Sequence, residues 1–173
     1  METQKAEIRI YVACLAAYNN GRLHGRWIDA NQDAGAIRAE VATMLKASPI
    51  PSAEEWAIHD YDGFEGAPIS EYEGIDSVAE KAAFIAEHGE LGGKLIEHFG
   101  GELEYARCAI EDHYMGQYAS FADFAREYTE ESFTIPSALD GYIDFEAMGR
   151  DMTLCDVFAI ELGFENLHLF WSC

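Results

Sequence analysis

In Glu7-Ile-Arg-Ile-Tyr-Val-Ala-Cys14, the apolar Ile8, Ile10 and Val12 alternate with Arg9 and Tyr11. A period of two over this length is the pattern of a β-strand with one face buried. Working outward, Tyr18-Asn-Asn-Gly-Arg22 reads as a turn, because Asn-Gly tolerates positive φ. Leu23 to Ile28 then reads as a second strand. Asn31 or Asp33 can cap a helix running to Ala47, with Ile37, Val41, Met44 and Leu45 on one face and Pro49 and Pro51 as its stop. Trp56 to Tyr61 returns as a strand, so residues 1–61 are expected to form a small α+β unit.

Beyond this unit the pattern changes. Gly63, Gly66, Pro68 and Gly74 suit a linker over residues 62–74. Ser77-Val-Ala-Glu80 has the form of a capping box, and Val78, Ala82, Phe84 and Ile85 make an apolar stripe ending at Gly89. Glu90 to Phe99 reads as a second short helix, weakened by Gly92-Gly93 and ended by Gly100-Gly101. A third helix runs from Glu102 to Asp112 or His113, with Leu103, Ala106 and Ile110 inward. Ser120 caps a fourth, faced by Phe121, Phe124 and Tyr128. Residues 142–152 make another helix, and Val157 to Glu161 pairs with Leu167 to Trp171 around Gly163. The expected class is α+β: an elongated chain of three small units, sheet-rich over 1–61, helical over 62–102 and mixed over 103–173.

Nearly half of the 173 residues are hydrophobic, enough for a packed core. No apolar run approaches the ~20 residues that span a bilayer. The segment from Met1 to Glu7 is polar, with no signal-peptide pattern, so the expected location is cytoplasmic. Cys14, Cys108, Cys155 and Cys173 are far apart and form no CxxC pair. They read as thiols, buried at Cys14 and Cys108, rather than as zinc ligands.

Charge is the strongest signal. The net charge is −21, and it is unevenly spread. Residues 1–50 carry 6 basic and 5 acidic side chains, whereas residues 51–173 carry 5 and 27. Adaptation to high salt would spread acidity along the chain, and solubility needs only a few units of charge. A chain this acidic is repelled by nucleic acid and by acidic membranes, so its partner should be basic.

Enzyme signatures are missing: there is no GxxxxGK[ST], GxGxxG after a strand, HExxH or GxSxG. Glu111-Asp112-His113 is the tightest acid–His cluster, but adjacent helical residues diverge and make a poor metal site. Asp60-Tyr-Asp62-Gly63 starts like a calcium loop without the later ligands. With 32 acidic residues, finding some glycosidase-like pair is uninformative. The expectation is no catalytic residue, no metal and no cofactor.

The acids themselves are patterned. Glu80, Glu87, Glu90, Glu97, Glu104 and Glu111 recur at steps of mostly seven or three residues. Like charges at such spacings repel and do not help folding. One negative charge per ~1.7 Å of duplex DNA means that this net charge of −21 matches about 36 Å of duplex, or roughly 10 base pairs.

Three stretches carry a family resemblance. Ile10-Tyr-Val-Ala-Cys-Leu-Ala-Ala-Tyr-Asn-Asn-Gly-Arg-Leu-His-Gly-Arg-Trp-Ile-Asp29 resembles the N-terminal signature of ArdA antirestriction proteins. Glu102 to Glu130, around Ala109-Ile-Glu-Asp-His-Tyr-Met-Gly-Gln-Tyr-Ala-Ser-Phe-Ala-Asp-Phe-Ala125, and Tyr142-Ile-Asp-Phe-Glu-Ala-Met-Gly-Arg-Asp151 are similar too. The resemblance implies a protein of mobile genetic elements and an elongated homodimer, joined through its C-terminal unit, that mimics bent B-form DNA. Its implied partner is the DNA-binding groove in the modification core of a Type I restriction–modification enzyme.

On this reading the mimic surface comprises Glu65, Glu71, Glu73, Asp76, Glu80, Glu87, Glu90, Glu97, Glu102, Glu104, Glu111, Asp112, Asp123, Glu127, Glu130 and Glu131. The N-terminal fifty residues depart from this acidity, which fits either a thin mimic surface there or internal pairing of Arg9, Arg22, Arg26 and Arg38. Tyr11, Tyr18, Asn19, Asn20, Gly21, Gly25 and Trp27 match the signature and read as structural, an Asn-Gly turn and an aromatic core. The competing reading is a general acidic module that binds many basic proteins.

Overall fold

A computed structural model describes residues 7–172. The opening segment before Glu7 and the thiol of Cys173 lie outside the described residues. The fold is α+β and divides into two compact units, Met1–Leu103 and Glu104–Cys173.

The first unit is built on β1 (Arg9–Cys14), the middle strand of an antiparallel sheet, with β2 (Gly25–Asp29) on one side and β3 (Trp56–Asp62) on the other. Ile10 lies opposite Ile28, and Val12 opposite Ile58. Directly opposed residues share a face, and α2 (Ala34–Lys46) covers this one with buried Ile37, Val41 and Met44. Each fully buried side chain of this size contributes roughly 1.5–3 kcal/mol. Asp33 caps α2, its carboxylate accepting from the Gly35 and Ala36 amides at 2.8 and 3.3 Å. The expected turn is preceded by a short helix, α1 (Leu15–Asn19), and closes at Gly21 with φ of 71°.

The glycine-rich stretch after β3 is not a loose linker. Phe64, Ala67 and Ile69 are buried, and the Ile58 amide donates to the Glu71 carbonyl at 2.9 Å. This strap leads into α3 (Ile75–His98), which begins two residues before Ser77. The expected capping box is therefore absent: Gly74 is the N-cap, and the Ser77 hydroxyl donates to Glu73 Oε1 at 2.6 Å. Gly89, at φ 62° and ψ −145°, interrupts α3 where the apolar stripe was expected to end. Gly92 and Gly93 are buried; a Cβ on Gly93 would lie 2.4 Å from that of Glu65. Gly93 allows the strap to approach the helix, and so has a packing role where the sequence suggests only weakness.

The second unit starts with α4 (Leu103–Cys108), which runs into a π turn, Ala109–His113. That wider turn shifts the phase of the helix. Ala109 becomes the buried residue, while Ile110, expected inward, is only half-buried. Cys108 is likewise half-buried, unlike the fully buried Cys14. Next comes β4 (Tyr114–Tyr118), a strand the sequence pattern did not announce, then α5 (Phe121–Ser132), α6 (Phe145–Cys155), β5 (Val157–Gly163) and β6 (Asn166–Trp171). The strands pair antiparallel in the order β4-β6-β5. Phe124, Val157 and Leu169 form a buried cluster, with Phe121, Tyr128, Met152 and Trp171 against it. Ser120 caps α5, as its sequence position predicts.

Candidate functional site

Helix α3 separates apolar from acidic groups by its own periodicity. Val78, Ala82, Phe84 and Ile85 before Gly89, and Leu95 and Ile96 after it, are buried, while Glu80, Glu87, Glu90 and Glu97 are exposed. A seven-residue step brings a helix back to nearly the same face. Glu80 and Glu87 therefore share one side of the first segment, and Glu90 and Glu97 one side of the second. Among the sixteen expected surface acids, all are exposed except the half-buried Glu65 and Glu73.

Glu73 belongs to the fold. Its Oε1 lies 2.6 Å from Lys81 Nζ, and both side chains are nearly buried. Burial alone would push this carboxyl up; hydrogen bonds from Lys81, Ser77 and the Ser70 amide outweigh that and hold it below its ordinary range. Lys81 also donates to the Pro68 carbonyl at 3.3 Å, so this one cation ties the middle and the end of the strap to α3.

Other basic side chains sit beside acids. Lys94 bonds Glu97 at 2.9 Å and Arg107 bonds Glu104 at 3.3 Å, each three residues apart on a helix. The Glu97 carboxylate, with Glu90 and Glu65 more distant, pushes the Lys94 ammonium up. Asp76 pairs with Arg38. Glu71 lies 4.0 Å from His59, and Glu87 3.9 Å from His88. Exposed pairs of this kind are worth about 0–1 kcal/mol and leave the carboxylates accessible.

The arginines of the near-neutral N-terminal stretch are largely paired, two of them with acids beyond residue 50. Arg9 bonds Asp62 at 3.3 Å and stacks over Trp27, 4.7 Å from its ring centre. Arg26 bonds Glu40 at 3.2 Å, and Arg38 reaches Asp76. Arg22 has no such ion pair among the described residues. The signature aromatics do not form the expected core. Tyr18 is 53 % exposed and Trp27 38 %, because their positions fall outside the face that α2 covers.

In the second unit Glu104, Glu111 and Asp112 are exposed on α4 and the π turn. The π turn breaks the regular seven-residue step between Glu104 and Glu111. On α5, Asp123 accepts from the Ser120 hydroxyl at 2.7 Å while its own amide donates back at 3.1 Å. Glu127, Glu130 and Glu131 are exposed further along α5. Burial, then the nearby Glu127, pushes the Tyr118 hydroxyl up. Exposed acids also continue outside the expected set: Glu54, Glu55, Asp60, Glu146, Asp151, Glu161 and Glu165. Their signal was present as simple charge in polar stretches, without helical spacing to single them out.

Among the described residues no group of His, Cys, Asp and Glu is arranged to hold a metal, and no helix is long and apolar enough to cross a membrane. The accessible chemistry is that of solvent-exposed carboxylates. No curated protein matches the chain. The family model described as antirestriction protein (ArdA) matches residues 10–166, so the chain belongs to the ArdA antirestriction family.

Proposed function

We propose that this antirestriction protein acts as a mimic of B-form DNA, occupying the DNA-binding groove in the modification core of a Type I restriction–modification enzyme as a homodimer. The observation that supports this reading most is the exposed acid pattern of α3. A seven-residue step on a helix advances about 10.5 Å. Three base-pair steps of B-form DNA, at ~3.4 Å each, advance nearly the same distance along the duplex axis. Glu80 with Glu87, and Glu90 with Glu97, thus set exposed negative charge at a regular interval along one side of each helical segment, on the length scale of a few base pairs of duplex axis. The other exposed acids of residues 65–131 would serve the same role within each unit, while Glu73 holds the strap. Within the first unit, residues 62–102 are proposed to act as their own helical module beside the sheet unit of residues 1–61, with residues 103–173 as the dimerising unit. Inhibition on this account needs no catalytic group and no cofactor.

A binding comparison tests the proposal against the general acidic module. The purified chain is titrated into the modification core and into a basic protein of equal net charge that has no DNA groove, both at near-physiological salt. Mimicry predicts binding to the core at least about 100-fold tighter, because groove shape adds to charge. Equal affinities would favour the module and contradict mimicry.

A further inference from the structure

Beside β3 lies a cleft of about 480 Å³ lined by Tyr18, Ile58, His59, Tyr61, Ile69 and Glu71. Its parts come from three elements. Tyr18 projects from the last turn of α1; His59 and Tyr61 are two apart on β3; and Glu71 is brought alongside by the bond from the Ile58 amide to its carbonyl. Tyr18 and Tyr61 are 53 % and 40 % exposed, although both carry large apolar rings. Tyr18 and His59 form a T-shaped pair with ring centres 4.9 Å apart, and Tyr61 and Phe64 another at 5.8 Å, so one aromatic contact holds each tyrosine in place. His59 Nε2 lies 4.0 Å from Glu71 Oε1. Aromatic rings, an apolar floor at Ile69 and one carboxylate make a site for an organic cation.

The geometry points to this cleft as the seat of an arginine side chain from the basic partner, a contact that rests on the proposed mimicry for its biological setting. Guanidinium is flat, stacks on tyrosine faces and is weakly hydrated, and its forked N–H groups match a carboxylate. Lysine, a compact and strongly hydrated charge, fits less well. The cleft would give the sheet side of the first unit a specific grip on the partner, where the helical stretch offers charge. Its aromatic contacts have no counterpart in phosphate mimicry.

The test uses the full chain and acetyl-arginine amide, with acetyl-citrulline amide as a neutral control of the same shape. Amide NMR spectra are followed during titration in buffer of physiological ionic strength, where diffuse attraction between exposed charges is screened. Saturable shifts centred on Tyr18, His59, Tyr61 and Glu71, about tenfold weaker for the citrulline probe, are expected. Glu71→Gln, which leaves the main-chain bond to Ile58 intact, and Tyr18→Ala should each remove the preference for arginine. Shifts spread over the acidic helices, or equal responses to both probes, would overturn the proposal. Binding of the two variants to the modification core is measured alongside. If the wild-type chain competes with DNA there and both variants compete equally well, the cleft is rejected and mimicry stands. If the wild type does not compete, mimicry fails and the arginine titration alone decides the cleft.

Discussion

Lys81 is a buried lysine in a chain whose other described lysines and arginines are at least partly exposed. Replacing it with Met would leave Glu73 in a nearly closed site without its cation. The Lys81→Met variant should lose roughly 3 kcal/mol in urea denaturation at neutral pH, since breaking one side of a buried pair strands the other charge. The pH dependence has a definite sign. Glu73 is held below its ordinary value of 4.5, so its bonds stabilise the fold above that pH and lose their effect as pH falls through the lower folded value. The wild type should therefore lose stability below pH 4.5, and Lys81→Met should lose less over the same window, as followed by denaturation at stepwise lower pH. Gly93 makes a second prediction at this scale. An added Cβ would meet Glu65 Cβ at 2.4 Å and the Phe64 carbonyl oxygen at 2.7 Å. Gly93→Ala should cost about 1–3 kcal/mol despite gaining roughly 1 kcal/mol in helix propensity, read from the urea midpoint. Neither role was legible in the sequence. Glu73 looks like any surface acid until the strap folds back, and Gly93 looks like a defect until its neighbour is known.

Elements with a repeating pattern were legible. The alternation of Ile8, Ile10 and Val12 specified β1, Asp33 and Ser120 marked two helix starts, and Gly89 marked the break in α3. Elements that depend on irregular backbone were not. Strand β4 contains Gly116 at φ 120° and a register shift, so Tyr114-Met-Gly-Gln-Tyr118 shows no clean alternation. The π turn keeps helical composition and only moves the phase, which left Ile110 misplaced. The same periodicity gives α3 a separable acidic face. Glu87→Gln with Glu90→Gln changes two exposed residues flanking Gly89 and touches no buried group. Stability should stay within about 0.5 kcal/mol of the wild type, since surface changes away from caps and cores are mild. Association with the modification core should slow severalfold at low salt, because fewer charges steer the encounter. Stopped-flow association against thermal denaturation of the same variant separates the two effects.

For the whole molecule, charge distribution carries the argument. Arg9, Arg26 and Arg38 are matched by Asp62, Glu40 and Asp76, whereas Glu102, Glu111, Glu130 and Glu131 have no cationic partner among the described residues. The imbalance was readable from composition; the pairing was not, because it joins residues such as Arg38 and Asp76 that are far apart in sequence. The acidic surplus self-repels and yields no folding stability, which fits the proposed use in binding. The most direct measurement is equilibrium competition: labelled duplex bound to the modification core of a Type I enzyme, displaced by this chain over a series of salt concentrations. The account predicts full displacement at low salt through mutually exclusive binding, with the chain's own affinity falling steeply and log-linearly as salt rises. A ternary complex of enzyme, duplex and chain at low salt, or displacement indifferent to salt, would contradict it.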